Sequence, residues 1–233
     1  MDVIISQSTK IPVNLSSYGA QSLSITIQAG VHFSCIYDRS DYERMSIVFH
    51  VQQNAVLHCV LLITQELLTH LTLSLNLEGD YAQATVRGLY ALSGSQKLSI
   101  ITSQHHKARS TMSNLIIKGM LNQSAVAHYQ GMILVDQVAK YTNAVQENKN
   151  ILLSRTAYAQ SIPSLEVLTN DVACKHGSAV GYLDEQSLFY TQARGLDAHT
   201  ARQLLLQGFF AEIIDAIDAS MVSDIYEIIK KQS

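Results

Sequence analysis

Leu71, Leu73, Leu75 and Leu77 alternate with Thr72, Ser74 and Asn76. This two-residue period makes one face of the segment apolar and the other polar, as in a half-buried strand. Similar short runs recur over residues 23–27, 46–51, 56–63, 82–89, 97–102, 111–117, 132–135 and 151–154. Between them stand the turn signals Glu78-Gly79-Asp80, Ser93-Gly94-Ser95, Lys118-Gly119, Gln130-Gly131 and Glu147-Asn148-Lys149-Asn150. Many short strands at fairly even spacing suit a sandwich, a barrel or a solenoid. No segment repeats at a fixed period, so the letters alone do not establish a solenoid. Two-residue Asn-Gly and Asp-Gly turns are missing between these strands, which disfavours a meander of hairpins and leaves a parallel β-helix open.

The pattern changes over the last fifty residues. Asp184 can cap a short helix carrying Leu188, Phe189 and Ala193, and Gly195 can take the left-handed closing position. A second helix is predicted from Asp197, with Ala201, Leu204, Leu205, Phe209, Ile213, Ile214 and Ile217 as its apolar stripe. Ser223 is predicted to cap a third, with Ile225, Ile228 and Ile229 facing inward and Lys230-Lys231 at the negative end of the helix dipole. The expected organisation is a β body over 1–182 and a C-terminal helical domain over 183–233.

Composition then removes several classes of function. Sixteen basic and nineteen acidic residues give a net charge of −3, and charged residues make up 15 % of the chain. No basic stripe is present, so neither nucleic acid nor an anionic membrane is the expected partner. The longest apolar run, near Ala55 to Ile63, is too short to span a bilayer. The start M-D-V-I-I-S-Q-S-T-K lacks a secretory pattern, and Cys35, Cys59 and Cys174 form no disulfide framework or zinc signature. The compartment they predict is a reducing cytoplasm. No G-x-x-x-x-G-K-[ST] occurs, so any ATP chemistry belongs to a partner.

A more specific signal lies between Leu165 and Gly195. Leu165-Glu166-Val167, Asn170-Asp171-Val172, Cys174-Lys175-His176-Gly177, Gly181, Leu183-Asp184-Glu185, Leu188-Phe189-Tyr190 and Arg194-Gly195 resemble, without a gap, the C-terminal core of the SufB/SufD family. Upstream, Leu77-Glu78-Gly79-Asp80, Gly88-Leu89-Tyr90 and Tyr141-Thr142-Asn143-Ala144-Val145-Gln146 extend the likeness, which covers roughly 71 to 219. The resemblance implies a right-handed parallel β-helix followed by a short C-terminal α-helical domain. It implies a non-catalytic subunit of the SUF iron–sulfur cluster assembly machine. Such a subunit pairs with SufB through the β-helix and with the ATPase SufC through the C-terminal helices. The alternative is a minimal homodimer that scaffolds clusters by itself.

Departures from the family pattern refine this. Family members carry a further, largely helical N-terminal domain, whereas this chain starts in strand-like sequence. The family's paired histidines fall on Ile100 and Ile101, and another falls on Ser110. The cluster-associated cysteine of SufB falls on Ala157, which places the chain on the SufD side.

Cys174 and His176 are the candidate ligands. Residues two apart on a strand project the same way, so thiolate and imidazole can be presented together to iron or an iron–sulfur cluster. His176 also matches the SufD histidine implicated in assembly at the SufB interface. A cluster takes about four ligands, so the resemblance implies no stably bound cofactor and a transient cluster shared with a partner. His105 and His106 are adjacent, so on a strand they face opposite ways and cannot chelate together; a solvated turn is the expected setting. His32, His50, His58, His70, His128 and His199 are read as structural or exposed, and Cys35 and Cys59 as packing residues. Asp184-Glu185 is read as a helix cap before an acid–base pair. A polysaccharide-cleaving β-helix enzyme is the rival of a different class, and the sequence lacks its cluster of carboxylates.

Overall fold

The structure is a computed structural model that describes residues 1–38, 41–64, 67–216 and 219–232. Fourteen strands form two seven-stranded parallel sheets. One sheet holds β1 (Asp2–Ile5), β3 (Ser22–Ile27), β5 (Arg44–Val51), β7 (His70–Leu77), β9 (Lys97–His106), β11 (Val126–Val135) and β13 (Tyr158–Val167), hydrogen-bonded in that order. The other holds β2 (Val13–Asn14), β4 (His32–Tyr37), β6 (Val56–Ile63), β8 (Gln83–Leu92), β10 (Met112–Leu121), β12 (Asn143–Leu152) and β14 (Ala173–Tyr182). The chain passes from one sheet to the other and back, so each circuit adds one rung to a parallel β-helix.

Two features hold this winding in register. Inward residues alternate with outward ones along each strand, so a one-residue slip would turn the core outward. At one corner, Asn54, Tyr81, Ser110 and Tyr141 all have positive φ, between 55° and 64°. Their N–H groups donate to the carbonyls of Asp80, Arg109, Lys140 and Asp171 of the next rung at 2.6–3.0 Å. The left-handed corner thus forms a hydrogen-bonded column along the solenoid.

The solenoid tapers. Paired strands lengthen from 4–6 residues in β1 and β3, through 8 in β5 and β7, to 10 from β8 onward. One circuit, measured between register partners, grows from 24 residues (Ser22 to Ser46) to 32 (Gln130 to Ile162). The narrow rungs are filled by aliphatic and aromatic side chains, among them Leu23, Ile25, Phe33, Ile47, Phe49, Leu57 and Leu61, all fully buried. The wide rungs enclose Thr102, Gln104, His106, Ser113, Gln146, Asn148 and Asn150, equally buried.

That lumen corrects several expected turns. Lys118-Gly119 and Gln130-Gly131 lie inside β10 and β11, and Glu147 to Asn150 inside β12. The glycines are there for close approach: a Cβ on Gly119 would run into the Tyr90 ring and Asn150, and one on Gly131 into the Gln146 amide. His105 and His106 sit on β9 and not in a solvated turn. His105 faces outward, 2.9 Å from Asp136, and His106 faces inward.

Three helices follow: α1 (Glu185–Ala193), α2 (Ala198–Ile214) and α3 (Ala219–Gln232). Asp184 caps α1 by accepting from the Gln186 and Ser187 N–H groups, and Asp197 caps α2 through His199 and Thr200. Gly195 closes α1 at φ +96°. Ser223 lies within α3 and is not its cap. The buried side of α2 is Ala201, Leu206, Phe210, Ile213 and Ile214, while Leu204 is exposed. With apolar residues on most of its circumference, periodicity could not select that face. Ile217 lies outside the described residues.

Helices α2 and α3 pack on the outer flank of the second sheet. Leu206, Phe210, Ile213, Ile225 and Ile229 share a core with Ile36, Val60, Leu62, Leu89, Ala91 and Met120. Lys118 fastens the contact: its Nζ donates to the Phe209 carbonyl at 2.9 Å and lies 3.4 Å from Glu212, which also reaches Arg87 at 3.4 Å. Among the described residues, no helix is long and apolar enough to cross a membrane.

Candidate partner interface and cluster-handling residues

At the wide end each sheet stops on a strand paired on one side only. β13 pairs with β11, and β14 pairs with β12. A terminal strand leaves a row of backbone donors and acceptors open to pairing with another chain. Pro163, which lacks an N–H, is accommodated in one of these terminal strands. Large apolar side chains are uncovered here as well: Ile162, Leu165, Val180 and Tyr182 are all 40 % exposed or more.

Cys174 and His176 belong to this end. Their register partners on β12 are Ala144 and Gln146, both fully buried in the lumen. Hence Cys174 and His176 continue the inward-facing file of the helix at its last rung, and among the described residues no strand pairs beyond theirs. Cys174 packs beside Ile133, Val135, Ala139 and Ala144 and is half-buried. Burial pushes its thiol up, partly offset by a backbone hydrogen bond from Ala144. His176 is exposed and has no hydrogen-bond partner among the described residues. Among those residues, no three His, Cys, Asp or Glu side chains converge on a metal-sized point. The pair supplies two donors on one face.

The remaining candidates are dispersed. Ala157 is buried in the main core at the corner between β12 and β13. Cys35 and Cys59 are buried in the narrow rungs, at the opposite end from Cys174. His50 meets Glu78 on the outer surface at 3.0 Å. Hydrogen bonds to His50 and Lys107 outweigh partial burial and hold the Glu78 carboxyl below its usual range. The capping bonds likewise lower Asp184, so this carboxylate serves the helix N-terminus.

Sequence reasoning missed the polar lumen behind the pair. Gln146 donates to the Tyr129 hydroxyl at 2.9 Å and to Thr102 Oγ1 at 3.1 Å. His106 lies between Thr111 Oγ1 at 2.7 Å and Ser113 Oγ at 2.8 Å, and Gln104 donates to the same Ser113 oxygen at 2.6 Å. Burial, with His105 adjacent, depresses His106 to a pKa of about 3. One signal was present. Ala144, Gln146, Asn148, Asn150 and Leu152 share one parity, while the charged Glu147 and Lys149 occupy the other.

A second uncovered surface lies on the helices. No residue of α1 is buried, and Phe189 and Tyr190 are 73 % and 59 % exposed. The Arg194 guanidinium rests over the Tyr190 ring at 4.9 Å.

Comparison with known proteins agrees with this architecture. Residues 16–209 match the family described as SUF system FeS cluster assembly, SufBD core domain. An iron–sulfur cluster assembly SufBD family protein of Mycobacterium leprae is 33 % identical over 186 residues, covering 72 % of this chain and 47 % of that protein. One from Synechocystis is 38 % identical over 104 residues, 45 % of this chain and 23 % of the relative. The Escherichia coli iron–sulfur cluster assembly protein SufD is 28 % identical over 144 residues, covering 62 % and 34 %. The chain therefore spans less than half the length of these curated relatives. A tapered parallel β-helix with a family match along most of its length identifies the chain as a member of the SufBD core-domain family.

Proposed function

We propose that this chain is a non-enzymatic, SufD-like subunit of the SUF iron–sulfur cluster assembly apparatus, working in the cytoplasm. Its wide end docks a SufB-type chain, and α1 and α2 receive a SufC-type ATPase. One observation carries the reading: Cys174 and His176 stand on one face of a terminal strand whose outer edge is open. A partner strand laid along that edge would complete the donor set of a cluster that two ligands cannot hold. The cluster, or its iron, is cargo at that junction, held only while the partner is in place. Binding iron requires the Cys174 thiol to lose its proton, so loading rises with pH. Phe189 and Tyr190, apolar and uncovered on a capped helix, suit an ATPase contact.

Co-expression with SufB- and SufC-type proteins tests this directly. The expected result is a three-component complex in which His176→Ala lowers cluster formation without loss of assembly. Phe189→Ala should release the ATPase while sparing the SufB contact. If no complex forms and His176→Ala leaves cluster formation unchanged, the reading is wrong. A stable cluster on a homodimer of the isolated chain, after anaerobic reconstitution, would replace it with a self-sufficient scaffold.

A further inference from the structure

Two of the three cysteines stack inside the narrow end. Cys35 on β4 and Cys59 on β6 are register partners on adjacent parallel strands, each 2 % exposed. The row they occupy runs Val13, Cys35, Cys59, Val86, so their neighbours above and below are apolar. Adjacent strands lie about 4.8 Å apart, within the roughly 4.4–6.8 Å between Cα atoms that a disulfide spans. In-register side chains project in the same direction, so the two thiols lie side by side in one inward-facing row. Joining them needs side-chain rotation and a small contraction, with no change in strand pairing.

We propose that Cys35 and Cys59 are a redox pair that closes to a disulfide under peroxide and staples the rung of β4 to the rung of β6. The sulfur of one thiolate attacks a peroxide oxygen, giving a sulfenic acid and water. The second sulfur then displaces the sulfenic oxygen as water. Overall, two thiols lose two protons and two electrons, and one hydrogen peroxide becomes two waters. Reduction by an external dithiol reverses the step. Entry is provided by the thin cover of the narrow end: β2 pairs with β4 through only two residues, Val13 and Asn14. Opening that cover uncovers Cys35 without disturbing the wide rungs. Burial, followed by the neighbouring thiol, holds Cys35 well above the ordinary thiol range, so the closed form reacts slowly and opening sets the rate. Cys174 cannot compete, because β14 lies four strands from β6, roughly 19 Å at about 4.8 Å per strand.

The experiment treats the full chain with hydrogen peroxide, unfolds it in denaturant with a maleimide, and reads intact mass and linked peptides. The expected product is lighter by two hydrogens, joins the Cys35 and Cys59 peptides, reverts with dithiothreitol and melts several degrees higher than the reduced form. Cys174→Ser should give the same link, and Cys59→Ser should give none. In the fully unfolded chain, peroxide should yield mixed links that include Cys174. The proposal is overturned if the native protein keeps Cys35 and Cys59 alkylatable while Cys174 oxidises. It is equally overturned if the native fold shows no preference for the Cys35–Cys59 link over the unfolded chain. Should Cys59→Ser fail to fold, the wild-type peptide map decides alone.

Discussion

The two ends of this solenoid are built on the same hydrogen-bond ladder but filled by different physics. In the narrow rungs, Ile25 and Phe49 of one sheet share a core with Phe33 and Leu57 of the other and are held by non-directional packing. In the wide rungs, strands of 10 residues enclose a network of amides, hydroxyls and one imidazole. Each member there needs a partner, because an unpaired buried polar group costs about 1–3 kcal/mol. Gln104 Oε1, Gln146 Oε1 and Ser161 Oγ have none among the described residues. The lesson is that one ladder can enclose an apolar core at one end and a polar lumen at the other. The unsatisfied groups lie toward the wide end, the end that also carries Cys174 and His176.

The comparison can be broken most forcefully at the narrow end. Phe49→Ala should lower unfolding free energy by about 3–5 kcal/mol, read as a fall in denaturation midpoint. Next, Gly119→Val drives a side chain into Tyr90 and Asn150; about 3 kcal/mol should be lost, whereas Gly177→Ala, which meets nothing within 4 Å, should leave the midpoint unchanged.

A third expectation concerns pH. His106 is neutral in the fold, with a pKa of about 3, against an ordinary 6.5. The unfolded chain therefore takes up a proton first, so stability is full above about pH 6.5 and falls steadily toward about pH 3. Over pH 6.5 to 4.5, the lower part of which glutamates share, the loss owed to His106 should be about 2–3 kcal/mol. His106→Gln should flatten most of that slope. His58, also lowered chiefly by burial, would contribute the remainder. The smallest effect is at Gln146→Met, which removes the donors to Tyr129 and Thr102 but also an unsatisfied oxygen. About 1–2 kcal/mol is expected, and a cost as large as that of Phe49→Ala would refute the contrast between the two ends.

Strand parity was legible in the letters, and the run Leu71 to Leu77 coincides with β7. The solenoid itself was not, because its circuit drifts from 24 to 32 residues and presents no fixed period. Gly119, Gly131 and Asn148 looked like turn residues, since their reason for being in strands lies on other strands of the solenoid, far away in sequence. The caps Asp184 and Asp197 were legible because a cap is a local bargain between a side chain and the next two or three N–H groups. Alternation alone put Cys174 and His176 on one face. Only the topology reveals that this face belongs to the last rung.

The taper has a consequence for how such a protein can change its length. In a uniform solenoid, one repeat can be excised or copied and its neighbours still match. Here the circuit differs between the two ends, 24 residues against 32, so a rung moved from one end to the other would overhang or fall short of the strands it must pair with. New material can enter only at the corners, or beyond the widest rung. Narrow and wide rungs are therefore tied to their own ends, as the courses of a conical tower are.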